Sequence, residues 1–119
     1  MASEGRACAV DWPALMARLE GDRELLAELV ELFEADGRDL VAAVRSGIAA
    51  GDAGAVYRAA HTLKGAVGNF CAPAAVTAAL ALETAGRNGD LSSARALLAR
   101  LEVEIAAVRA ALALTGQDS

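Results

Sequence analysis

Between residues 94 and 112 the side chains of Ala94, Leu98, Leu101, Ile105, Val108 and Leu112 recur at spacings of four, three, four, three and four. That is the period of a helix buried along one narrow seam, and such a seam has to be covered by other helices. A half-buried strand would need a period of two, and a membrane span an unbroken apolar run of about 18 residues. Charges interrupt every apolar run in this chain well before that length.

The rest of the 119 residues agrees with a helical reading. An apolar share of 55% is ample for one core, while an aromatic share of 3% and two prolines leave alanine, leucine, glutamate and arginine dominant. Asp11, Pro13 and Gly21 bracket one short helix in "WPALMARL". From Asp22 to about Ala50, Leu26, Leu29, Phe33, Leu40, Val44 and Ile48 mark one apolar face. "GDAG" turns the chain into a segment that Asp52 can cap and that runs to about Asn69. "CAPAA" breaks it, Pro73 opens "AAVTAALALETAGR", and Asp90 caps the seam helix. The fold class is therefore all-α: an antiparallel up-down four-helix bundle with a short additional N-terminal helix. Residues 1–10 and 115–119 lack periodicity and read as tails around a domain at 11–114.

The formal charge of −5, from 16 acidic and 11 basic residues, is spread along the chain without the basic stripe that nucleic acid requires. "MASEGRACAVDW" holds no apolar stretch of secretory length, so the expected setting is the cytoplasm, with neither membrane nor nucleic acid as a partner. Cys8 and Cys71 have no motif spacing and read as reduced, structural thiols. No grouping of ligand residues suggests a metal, and no Gly-rich loop suggests a nucleotide.

One segment departs from thrifty helix design. "AAHTLKGAVGNF", residues 59–70, holds the single histidine and two glycines inside a helical stretch where alanine would be better by roughly 1 kcal/mol each. At about 100° per residue, Val56, Ala59, Leu63, Ala66, Val67 and Phe70 form the buried stripe. His61 lies opposite, with Lys64, Gly65 and Gly68 three, four and seven residues on, and Tyr57 and Arg58 border it one turn earlier. A neutral imidazole is a nucleophile near physiological pH, an adjacent ammonium attracts a phosphoryl group, and absent side chains let another protein approach. The pattern suits a phosphorylation site.

The same residues resemble the central motif of histidine-containing phosphotransfer (HPt) domains, which relay phosphoryl groups between receiver domains in bacterial two-component pathways. "AHTLKGAVGNF" carries the resemblance, "GDRELLAELVELF" is similar to the family's second helix, and "LALETAGRNGD" with "ARALLARLEVE" to its last two. The resemblance implies that His61 is the phosphoacceptor and Lys64 the phosphate-side cation. It places Gly65 and Gly68 under the docked receiver, with Tyr57 and Arg58 at the rim. It implies a monomeric intermediary rather than an autonomous enzyme, with no cofactor of its own and Mg²⁺ supplied by receivers of response regulators and hybrid kinases. Two alternatives are a phosphoacceptor domain of a chemotaxis-type kinase and a receiver-binding helical module that never carries phosphate. At the helix end the family often has a glycine where this chain has Cys71, a residue less suited to a left-handed cap. Glu83 and Arg87 read as part of a solvated face, with Arg87 a weaker candidate for partner contact. Trp12 reads as a packing anchor.

Overall fold

The computed structural model describes residues 9–118, and side chains as far as residue 113. Five helices follow one another among the described residues: α1 (Trp12–Leu19), α2 (Arg23–Ala50), α3 (Ala53–Gly68), α4 (Pro73–Arg87) and α5 (Ala94–Asp118). Short turns reverse the chain between the long helices, so α2 packs on α3, α3 on α4, α4 on α5, and α5 returns to α2. The all-α bundle with a short N-terminal helix is therefore the architecture of the chain.

Local chemistry sets the helix ends. The carboxylates of Asp11, Asp22 and Asp52 accept the backbone N–H of Ala14, Leu25 and Ala55 at 3.2, 2.9 and 3.0 Å, each satisfying one orphan donor of a first turn. Pro73 opens α4, where its missing N–H has no partner to lose. Gly51 ends α2 at φ 69°, and Cys71 itself takes φ 54° after α3, so the left-handed residue expected at that turn is the cysteine. The turn is held from outside: the Cys71 carbonyl accepts the Asp11 N–H at 2.8 Å.

Every residue of the α5 seam is buried, and it meets Val44, Val56, Leu63, Val67 and Leu82 in one core. Each fully buried leucine there contributes roughly 1.5–3 kcal/mol. The α3–α4 pair differs in composition, because Ala59 and Ala60 on one helix and Ala75, Ala78 and Ala79 on the other are all buried. Small side chains bring the two axes close. At Gly86 the approach is closest, since a Cβ there would stand 2.7 Å from the Tyr57 backbone N and 2.9 Å from the Ala53 carbonyl oxygen.

Three expectations change at the ends and turns. Val10 is 2% exposed and packs into the core ahead of α1 rather than trailing free; an isolated apolar residue without periodicity gave no sign of this. Cys8 and the rest of residues 1–8 lie outside the described residues. At the other end α5 runs to Asp118 rather than stopping at 114, because nothing from Thr115 onward is a proline and a lone Gly116 costs a helix only about 1 kcal/mol. Asp90 stands four residues ahead of α5 and bonds Ser92 through its Oγ at 2.7 Å and its N–H at 3.1 Å, shaping the turn rather than capping the helix. Trp12 packs against the core as a partly buried anchor.

Candidate functional site

His61 sits near the middle of α3 with its side chain 58% exposed, on the face turned away from Leu63 and Val67. Helical Cα–Cβ bonds tilt toward the N-terminus, so the imidazole leans over residue 57 and a side chain at residue 65 would lean over the imidazole. Residue 65 is glycine, and a Cβ built on it meets nothing within 4 Å. The bare strip therefore lies where it leaves the ring uncovered. Gly68 is half-buried: a Cβ there would touch Val76 at 3.8 Å, and its carbonyl accepts both the Cys71 N–H at 3.0 Å and the Arg18 guanidinium at 3.1 Å.

The main departure from the sequence reading is Glu83. It is not part of a solvated face but 1% exposed, lying on α4 under the His61 ring. His61 Nδ1 is 3.2 Å from Glu83 Oε2, Arg87 Nη2 is 2.9 Å from the same oxygen, and Lys64 Nζ is 2.8 Å from Oε1. The lysine contact is short but off the hydrogen-bonding angle, leaving Oε1 without a hydrogen-bond donor among the described residues. Its compensation is the ammonium charge itself.

Charge and proton positions follow from this cluster. The Lys64 ammonium foremost, with His61, holds the Glu83 carboxyl below the usual carboxylate range even though burial pushes it up. An ionised carboxylate only accepts, so the Nδ1 nitrogen of His61 must carry the hydrogen it donates. In the neutral ring that tautomer leaves the lone pair on Nε2, on a side chain that is 58% exposed.

Lys64, 30% exposed, is thus neither free nor merely solvated: its ammonium is paired with Oε1 of the buried carboxylate whose other oxygen meets the ring. Tyr57 lies against His61, with ring centroids 5.9 Å apart and planes inclined by 18°. Arg87 covers the tyrosine ring at 5.5 Å, so its place is inside the cluster rather than on a separate partner surface. Arg58 is exposed, leans back toward Gly54, and makes no ion pair with the cluster among the described residues. The structure therefore gathers His61, Lys64 and Tyr57 with Glu83 and Arg87, beside the open strip at Gly65. A spacing signal for Glu83 was present, since Ala75, Ala79 and Glu83 follow one another by four along the buried face of α4.

Among the described residues no group of His, Cys, Asp and Glu side chains could hold a metal ion, and no helix is long and apolar enough to cross a membrane. What the arrangement can do is present one nitrogen nucleophile, with its other nitrogen tethered and two cations close by.

A sequence profile described as "Hpt domain" matches residues 28–111. Among solved structures, histidine-containing phosphotransfer protein B (HptB) from Pseudomonas aeruginosa PAO1 matches with a TM-score of 0.86 at 28% identity, over 93% of this chain and 96% of that one. A comparison with curated proteins gave no match. With the profile spanning most of the bundle and the whole architecture shared with a phosphotransfer protein, the chain belongs to the Hpt domain family and is a histidine phosphotransfer protein of a phosphorelay.

Proposed function

We propose that His61 Nε2 is the atom that carries the phosphoryl group, taking it from an aspartyl phosphate of one receiver domain and passing it to an aspartate of another. The observation that carries this reading is the Nδ1–Glu83 contact at 3.2 Å, which makes Nδ1 the donor and, in the neutral ring, puts the lone pair on Nε2. In the forward step the Nε2 lone pair attacks phosphorus, the N–P bond forms, and the P–O bond to the aspartate breaks with its electron pair leaving on the carboxylate. Nδ1 keeps its hydrogen throughout, so the ring becomes cationic as it gains the phosphoryl group. Glu83 sits where that charge develops. The return step reverses each bond change, with a carboxylate oxygen attacking phosphorus and the pair returning to Nε2.

Lys64 and Arg87, both paired with the carboxylate that meets the ring, are the cations that would attract the transferred group, and Gly65, Gly68 and the exposed Arg58 form the surface on which a receiver seats. The Mg²⁺ that neutralises the phosphoryl oxygens in flight belongs to the receiver, as does most of the transition-state electrostatics. This chain then acts as a monomeric, cytoplasmic intermediary consumed and regenerated in each relay cycle rather than as an autonomous enzyme.

The test is His61→Gln with a receiver loaded from acetyl phosphate. Wild type should acquire acid-labile, base-stable phosphate on one residue, located by mass spectrometry, and the variant should fold and acquire none. Phosphate of that lability on the variant would remove His61 from the relay.

A further inference from the structure

We propose that Tyr57 is a positioning residue for His61, a deepening of the phosphotransfer reading on which it rests: its ring acts as a backstop that holds the imidazole over Glu83 with Nε2 outward.

Three observations meet on this residue. Helix geometry makes position 57 the one over which the His61 side chain leans, and the two rings lie nearly parallel at 5.9 Å, within the range of offset stacking. The tyrosine ring is itself clamped, with the Arg87 guanidinium over it at 5.5 Å and Nη2 of the same arginine 2.9 Å from Glu83 Oε2. The backbone is closely packed at this point too, because a Cβ on Gly86 would stand 2.7 Å from Tyr57 N and 2.9 Å from its Cα.

A single hydrogen bond from Nδ1 restrains one edge of the imidazole but leaves it free to swing about that contact. Stacking against a ring held on Arg87 restrains that swing. Arg87 and His61 are thus joined twice, through the Tyr57 ring that both lie against and through Glu83 Oε2 that both contact. The imidazole is held by an edge and by a face, and only Nε2 and the opposite face remain for a partner. Tyr57 then acts on the reactivity of the ring, not on receiver affinity, which distinguishes it from a rim residue of a docking surface.

The chain has one histidine, so ring-selective ¹⁵N labelling reports this imidazole alone. Wild type, Tyr57→Phe and Tyr57→Leu should be compared by the ¹⁵N signature and motional averaging of the ring, by reaction with phosphoramidate, and by transfer from a receiver loaded with acetyl phosphate. Phosphoramidate is too small to need a docking surface. Tyr57→Leu should broaden or average the ring signals and slow reaction with both donors by roughly three- to tenfold, the range that loss of an aromatic pair represents. Tyr57→Phe, which keeps the stack and loses the hydroxyl, should restore both to within about twofold. An ordered ring with undiminished phosphoramidate reaction in Tyr57→Leu overturns the proposal; if only receiver-dependent transfer falls, Tyr57 is a docking residue. Equal losses in Phe and Leu alongside a lowered melting temperature make it merely structural. Should wild type accept no phosphoryl group at all, the relay reading fails, while the ring signals still decide whether Tyr57 orders His61.

Discussion

Glu83 and His61 divide one function between a buried anion and an exposed ring: the carboxylate, 1% exposed on α4, accepts from Nδ1 of an imidazole that is 58% exposed on α3. The pairing works because the helices are close, and at Gly86 they meet with no room for a side chain between their backbones. A larger residue at Gly86 or at the buried alanines would carry Glu83 out of reach. The carboxylate in turn could not be buried there without Lys64 and Arg87 beside it. Packing, charge and the choice of nucleophilic nitrogen are thus one arrangement.

Removing the charge of Glu83 while keeping its shape separates tautomer from electrostatics. In Glu83→Gln the amide oxygen can still accept from Nδ1, but no anion faces the cation that develops on the ring. Phosphoryl transfer to His61 is expected to slow roughly tenfold, at the low end of what loss of an orienting partner costs a working histidine. Single-turnover transfer from a loaded receiver measures it; an unchanged rate would mean that the carboxylate charge does not act on the reaction.

As an exposed helix lysine, Lys64 would bear on transfer and little on stability. Its contact with buried Glu83 changes the second half of that expectation. Lys64→Ala should lower both the transfer rate and the melting temperature, because it strips a buried carboxylate of its nearest ammonium. The two residues should also be coupled: in Glu83→Gln, the further change Lys64→Ala should cost less in melting temperature than it does alone. Additive losses would show that Lys64 supports the fold independently of Glu83.

Acid should weaken the fold through the same cluster. The folded-state pKa of Glu83 lies below its ordinary value of 4.5, so the unfolded chain binds the proton more readily. Its contribution is fully present above about that pH and is lost as pH falls through the depressed folded value. Asp90, held low by the Ser92 hydroxyl and N–H, acts in the same direction. Melting temperature should be level from neutrality to about pH 5 and fall below it, with a shallower fall in Glu83→Gln. An equally steep fall in both proteins would place the acid sensitivity elsewhere.

The bundle could be read from the chain because its determinants are periodic: the four-three seam of α5 and the aspartates at three helix starts each act within a few residues of themselves. His61 and Gly65 were legible for the same reason, being one turn apart on one helix. Glu83 was not, although Ala75 and Ala79 mark its face, because a glutamate in a helix is ordinarily solvent-facing and its burial depends on cations 19 residues earlier and four residues later in the chain. Gly86 was passed over for a related reason. What makes it necessary is the backbone of Tyr57 and Ala53 on another helix, which no local pattern announces.

Two glycines of the site should respond in opposite ways to the same substitution. At Gly65 an added methyl meets open space, so Gly65→Ala relieves the entropic cost of a mid-helix glycine and should stabilise the domain by about 0.5–1 kcal/mol. A larger Gln there should also fold well, but its side chain would lean over the imidazole, and transfer should fall steeply from Gly to Ala to Gln. At Gly86 the methyl would stand within 3 Å of the Tyr57 and Ala53 backbone, atoms that move only if the helices part. Gly86→Ala should therefore destabilise by about 1–3 kcal/mol and lose transfer with it, as Glu83 is drawn away from His61. Melting temperatures and single-turnover rates for the three variants decide the matter. Stability and transfer falling together at Gly65 would make it a packing glycine and defeat the docking role, whereas a stable, active Gly86→Ala would show that close approach of α3 and α4 is not what brings Glu83 to the ring.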